Sequence, residues 1–132
     1  MTNDSIFNKI IKGEVPCHKV YEDDKTLAFL DIHPLLPGHT LVIPKLGVEF
    51  VWDLPDEDYK AVMETARKVA RRLREVTGLP YVHLSIVGTD VPHAHVHVVP
   101  FERSDDIHKE QDMNSEPDHA QLAELASRLL LN

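Results

Sequence analysis

The sequence predicts an α+β protein built on a mainly antiparallel sheet. Three observations carry that expectation. Short β-rich runs recur along the chain, one long amphipathic helical stripe interrupts them, and there is no regular strand–helix–strand repeat of the kind that builds a parallel sheet.

Taken in order, Asp4 or Ser5 caps a short first helix in which Ile6, Phe7, Ile10 and Ile11 share one face, with Gly13 as the stop. Pro16 ends any helix, and residues 18–22 read as a strand. Asp23, Asp24 and Lys25 turn the chain into a second strand over 26–32, so the pair reads as a hairpin. Residues 33–38, with two prolines, form a loop, and 39–45 form a compact central strand. The long helix opens on Pro55, Asp56, Glu57 and Asp58, whose charges suit the positive end of the helix dipole. Tyr59, Val62, Met63, Ala66, Val69, Ala70, Leu73 and Val76 then recur at spacings of three and four, and Gly78 ends the helix. Core packing accounts for that stripe, and Arg67, Lys68, Arg71, Arg72 and Arg74 read as its solvated face. Residues 81–87 alternate as a strand, with Val82, Leu84 and Ile86 on one side and His83 and Ser85 on the other. Residues 88–92 connect it to a further strand over 93–99. The polar stretch 102–116 reads as loop, and Ser115, Pro117 and Asp118 start a last helix carrying Leu122, Leu125, Ala126, Leu129 and Leu130 on one face.

The bulk composition narrows the function. A chain of 132 residues, 42% hydrophobic and 27% charged, is ordinary for one soluble domain with a single core, here residues 1–132. A net charge of −8 argues against nucleic-acid binding, which needs a basic face, but leaves room for a small anionic ligand in a locally positive pocket. Cys17 is the only cysteine, so no intramolecular disulfide can form and a reducing, cytoplasmic setting is expected. No apolar run reaches membrane-spanning length and no signal peptide is recognisable.

The chemistry concentrates in HAHVHVV, residues 93–99. In a strand, His93, His95 and His97 share one face while Ala94, Val96 and Val98 face the opposite layer. Successive imidazoles then stand about 7 Å apart, and two imidazolium ions at that distance repel by about 2.4 kcal/mol at an effective dielectric of 20. The row is therefore rarely fully charged at neutral pH. A neutral imidazole beside a proton donor is what phosphoryl or nucleotidyl transfer through a phosphohistidine requires. Two other readings stand beside it: a metal site, with His39 or His83 completing a shell, and a satisfied histidine row with no function.

These residues also carry a family likeness. HAHVHVV fits His-φ-His-φ-His-φ-φ, with φ apolar, and residues 5–45 (SIFNKIIKGEVPCHKVYEDDKTLAFLDIHPLLPGHTLVIPK) include DIxPxxxGHxLVIPK in the right order. The chain resembles the histidine triad (HIT) nucleotide-binding superfamily, most of all its Hint branch of nucleoside phosphoramidate hydrolases. The likeness covers about the first hundred residues, so that 1–101 form a family-like core and 102–132 add the polar loop and C-terminal helix.

The resemblance implies a HIT-like fold: a five-stranded antiparallel sheet with one long central helix, a short N-terminal helix and here a C-terminal one, usually as a homodimer. It implies hydrolysis or transfer of a nucleoside 5′-phosphoramidate, or a related monophosphate derivative, through a nucleotidyl-histidine, with no cofactor required and zinc possible but not favoured. His95 is then the nucleophile, His97 contacts the α-phosphate oxygens, His93 binds phosphate or supplies a proton near the leaving group, and His39 steadies the row. Ile6, Phe7, Ile10, Phe29 and Ile32 match positions that hold a purine base, and Asp31 matches the carboxylate that takes the ribose hydroxyls. In the shortened segment before the triad, Thr89 stands where glutamine is usual and Asp90 where serine is frequent. A carboxylate there repels a polyphosphate tail, stabilises an imidazolium on His93, or suits a cationic amine leaving group. The competing functions are a dinucleoside polyphosphate hydrolase and a non-catalytic zinc- or nucleotide-binding interaction module.

Overall fold

A computed structural model describes residues 5–132; Asp4, the alternative cap, lies outside them. Five antiparallel strands form one sheet in the order β1 (Lys19–Glu22), β2 (Thr26–Leu30), β3 (Thr40–Pro44), β5 (Val96–Phe101) and β4 (Tyr81–Ser85). The α+β expectation holds. Three helices, α1 (Ile6–Ile11), α2 (Asp56–Thr77) and α3 (His119–Leu129), complete the fold. No helix among the described residues is long and apolar enough to cross a membrane.

Both faces of the sheet are covered, which explains why β2 and β3 are buried along their whole length. The alternation of side chains sorts their residues between two cores. Ala28, Leu30, Val42, Val96 and Val98 join Val62, Ala66, Val69 and Leu73 of α2 and Leu122, Ala126 and Leu129 of α3. Leu27, Phe29, Leu41 and Ile43 face the other way and pack with Phe7 of α1. Thr26 and Thr65 share a buried hydroxyl hydrogen bond of 2.7 Å that ties β2 to α2.

Helix ends follow the local chemistry. Ser5 Oγ accepts the Asn8 N–H at 3.2 Å, and Gly78 ends α2 at φ 72°. Asp118 Oδ1 accepts the Gln121 N–H at 3.1 Å and starts α3. Tyr59, placed by periodicity on the apolar stripe, is exposed, as are Leu84, Ile86 and Leu130. Of the basic cluster, Arg72 does more than face solvent: it donates to the carbonyls of Arg128 (3.0 Å) and Leu129 (3.4 Å), holding the negative end of α3 against α2. His18 and His119, far apart in sequence, pair ring to ring at 2.9 Å.

The strands are shorter than the apolar runs that announced them. β2 stops at Leu30 because Asp31 turns the chain, its Oδ1 accepting the His33 N–H at 2.8 Å. β5 starts at Val96, not His93, because the His93 N–H bonds the Val91 carbonyl and the Ala94 N–H bonds the Val48 carbonyl, both at 2.8 Å. Residues 102–116 are more ordered than a loop: Ser104–His108 form a 3-10 helix, as do Val51–Asp53 elsewhere. The edge of β1 is partly closed by the C-terminus, where the Leu131 N–H bonds the Val20 carbonyl at 2.9 Å.

Gly38 places the next residue, His39. Its φ is +97°, and an added Cβ would lie 3.0 Å from Pro100 Cγ and 3.1 Å from Leu73 Cδ2. Gly38→Ala should therefore cost about 2 kcal/mol in folding stability through backbone strain and overpacking. A urea midpoint equal to that of the unmodified protein would contradict this.

Candidate active site

The histidine row lies on the α1 side of the sheet, opposite the larger core, as the alternation requires. Only His97 belongs to β5; His93 and His95 occupy the bent approach to it. The rings also sit closer than regular strand spacing gives, the centroids of His95 and His97 being 5.1 Å apart. Phe7 packs edge-to-face against His95 at 5.2 Å and His93 at 6.1 Å.

Hydrogen bonds fix which nitrogen of each ring carries a proton, because a backbone partner has only one role. His95 Nδ1 lies 2.7 Å from the His93 carbonyl, so Nδ1 must donate. A neutral His95 then carries its lone pair on Nε2. His39 Nδ1 accepts the Leu35 N–H at 3.0 Å, so the His39 proton sits on Nε2 and is donated to His97 Nδ1 at 2.9 Å. That leaves the His97 proton on Nε2. Two neighbouring rings thus present opposite faces: a lone pair on His95 and an N–H donor on His97.

Burial keeps His97 neutral. Desolvation, with repulsion from His39 and His95, outweighs the attraction of Asp31 and Asp90 and lowers its pKa to about 4. The pKa values of His39 and His93 are also lowered, mainly by desolvation.

A cavity of about 270 Å³ opens beside these rings. Ile6, Phe7, Ile10, Phe29, Asp31, Ile32, Asp90, His95 and His97, all singled out from sequence as site residues, line it, together with Val15, Pro16, Cys17, Leu30, His33, Leu41, Val91, Gln111 and Met113, which were not. Leu41 stands in the GHxLVIPK motif and Val15 in the family-like stretch 5–45, where an apolar residue reads first as core, and Val91 is an apolar residue of the connector. Gln111 and Met113 lie in a polar stretch whose pattern gives no pointer to the site. Asp31 Oδ1 takes the His33 N–H, and its Oδ2 accepts from Gln111 Nε2 at 2.9 Å and lies 3.7 Å from His39 Nε2. A second cavity of about 330 Å³ adjoins the first and shares Asp90, His97, Gln111 and Met113 with it; His39, His83 and Ser85 line its sheet side.

Three expectations need correction. His93 lines neither cavity: it is fully buried, with Nε2 donating to the Pro44 carbonyl at 2.7 Å, so it anchors His95 and is not placed to meet phosphate or a leaving group. Asp90 pulls the His97 pKa upward, the weakest of the influences there, and is not among the influences on the lowered His93 pKa, which are burial, the Pro44 carbonyl and His95. Thr89 is exposed and lines neither cavity, because the short connector carries it past the rim.

Asp31, His39 and His97 each offer a ligand atom, all within 4.8 Å of one another. The donor set suits zinc, yet the two ring nitrogens are joined by a proton, which a metal ion would have to displace.

Comparison with known proteins agrees with this geometry. The HIT domain model matches residues 12–104, and the chain belongs to that family. It is 36% identical over 96 residues to adenosine 5′-monophosphoramidase HNT1 of Saccharomyces cerevisiae, covering 72% of this chain and 61% of the relative. It is 34% identical over 110 residues to adenylylsulfatase HINT3 of Arabidopsis thaliana, covering 80% of this chain and 56% of the relative. Among solved structures, a Hit-like protein from Bartonella henselae superposes with a TM-score of 0.86 at 31% identity, covering 98% of this chain and 96% of that one. A zinc-bound histidine triad family protein from Mycobacterium smegmatis gives a TM-score of 0.76 at 30% identity, with coverages of 96% and 93%.

The pKa of His97 makes stability pH-dependent. Its folded value of about 4 lies below the ordinary 6.5, so on acidification the unfolded chain takes up the proton first. Stability should fall as pH drops from 6.5 towards 4, and His97→Asn should flatten that fall. Equal slopes of unfolding free energy against pH in the two proteins would show that His97 is not held neutral.

Proposed function

We propose that this chain is a nucleotidyl hydrolase or transferase acting on purine nucleoside 5′-phosphoramidates or related monophosphate derivatives. The observation that carries the reading is the tautomer of His95: with Nδ1 committed to the His93 carbonyl, Nε2 is free to attack phosphorus beside the cavity. A base fits among Ile6, Phe7, Ile10, Phe29 and Ile32, and ribose fits towards Asp31. His97 Nε2–H meets an α-phosphate oxygen, where charge gathers in the transition state. Attack forms the nitrogen–phosphorus bond to His95 and breaks the bond to the leaving amine, which takes its proton from solvent at the open cavity as it departs. Water then hydrolyses the nucleotidyl-His95 and frees the monophosphate. His39 holds His97 in the donor tautomer. No metal enters these steps. The names of the yeast and Arabidopsis relatives support an adenosine derivative as substrate.

Asp90 on the cavity rim sets the preference within the class, since its carboxylate repels a polyphosphate leaving group. Zinc binding at Asp31, His39 and His97 is the second reading, favoured by that donor set and by the zinc-bound relative. A homodimer fits the other sheet edge, where β4 leaves Tyr81 and Leu84, and Ile86 and Val87 just beyond, exposed. Leu84→Lys should shift the protein towards monomer in sedimentation; a monomeric unmodified protein refutes the pairing.

His95→Ala should reduce turnover of adenosine 5′-phosphoramidate by at least about a thousandfold while AMP binding persists, because the nucleophile is lost and the cavity is not. Mass spectrometry of quenched, unmodified protein should show a nucleotidyl adduct on His95, and exhaustive chelation should leave turnover intact. Activity retained in His95→Ala would end the covalent mechanism. A diadenosine polyphosphate should be cleaved more slowly than the phosphoramidate; equal rates would remove the role given to Asp90.

A further inference from the structure

The polar stretch after β5 does more than connect β5 to α3. It crosses the rim shared by the two cavities and delivers Gln111 to the Asp31 carboxylate. Gln111 Nε2 lies 2.9 Å from Asp31 Oδ2 and 2.8 Å from the His33 carbonyl. Both partners are acceptors only, so the amide nitrogen must face them, and the orientation of this side chain is settled by chemistry. Asp31 is then held from two sides: the His33 N–H fixes Oδ1 and Gln111 fixes Oδ2. A carboxylate offers about four lone-pair positions, so two remain for a vicinal diol, in a fixed direction. Gln111 also lies outside residues 12–104, the extent of the family match.

We propose that Gln111 is a positioning residue that locks the Asp31 carboxylate towards the cavity and thereby makes the site discriminate ribonucleotides from deoxyribonucleotides. The inference rests on the reading that a nucleoside occupies the cavity with its sugar at Asp31. The segment from β5 to α3 thus tunes sugar recognition without taking part in the transfer chemistry. Without Gln111 the carboxylate loses a charge-assisted bond and can turn towards solvent or towards His39, 3.7 Å away. The hydroxyls would then meet a mobile acceptor, and the loss would fall on substrates that have both of them.

Calorimetry of AMP, 2′-deoxy-AMP and 3′-deoxy-AMP tests this without any chemical step. The unmodified protein should prefer AMP, and Gln111→Ala should reduce that preference on the order of tenfold, mainly by weakening AMP. The isosteric Gln111→Glu, which sets a carboxylate against Asp31, should lose the preference too, whereas a side chain that only packs the segment would be replaced by Glu at little cost. In turnover the loss should sit in KM of the ribonucleotide more than in kcat. If either variant keeps the AMP-to-deoxy-AMP ratio, or weakens all three ligands alike, the proposal is overturned and the nucleotidyl-transfer reading is untouched. If the unmodified protein binds no AMP, both fall. If it binds AMP with the expected preference but forms no His95 adduct, the catalytic reading fails and the role of Gln111 stands.

Discussion

Everything at the site depends on one relay of hydrogen bonds: the Leu35 N–H into His39, and His39 into His97. A backbone amide at its head can only donate, and that single fact propagates through two rings to put a proton on the outer nitrogen of His97. The relay works because His39 and His97 are both nearly sealed from water, where a misplaced proton has no solvent to correct it. The carbonyl of His93 sets His95 the opposite way. Two identical side chains two positions apart thereby acquire different chemistry, one presenting a lone pair and one an N–H donor.

The fold is arranged to hold that relay still. His39 stands immediately before β3, β5 carries His97, and Leu41 and His97 are paired across the ladder between the two strands. Gly38 lets the chain pass close under Pro100 and Leu73, so that His39 enters the sheet at the correct height. Phe7 on α1 closes the other side, giving His93 and His95 an apolar ring to rest against. With a core on each face, the sheet has no room to rotate, and the imidazoles inherit its rigidity.

The two cavities give the site a direction. The first is mostly apolar, with Asp31 and His97 close together on its polar side; the second has more polar walls, including His83 and Ser85 of β4. His97 and Asp90 stand on the boundary and line both. The segment beyond β5 forms part of both walls through Gln111 and Met113.

Local pattern gave the five strands and three α-helices in their order, the two faces of the sheet and the shared side of the histidine row, because alternation and helical periodicity are properties of neighbouring residues. It missed the strand ends and the two 3-10 helices, which depend on partners elsewhere in the chain. Motif likeness added the identity of His39, Asp31 and the apolar lining. Neither could say that His93 is buried behind the row, since its partner is the carbonyl of Pro44 on another strand and no backbone acceptor is visible in a sequence. The same reason hid the pairing of His18 with His119 and the reach of Gln111 to Asp31 across eighty positions of chain. Tautomers, ring spacing and carboxylate orientation were decided only when the tertiary structure brought distant donors and acceptors within 3 Å or so.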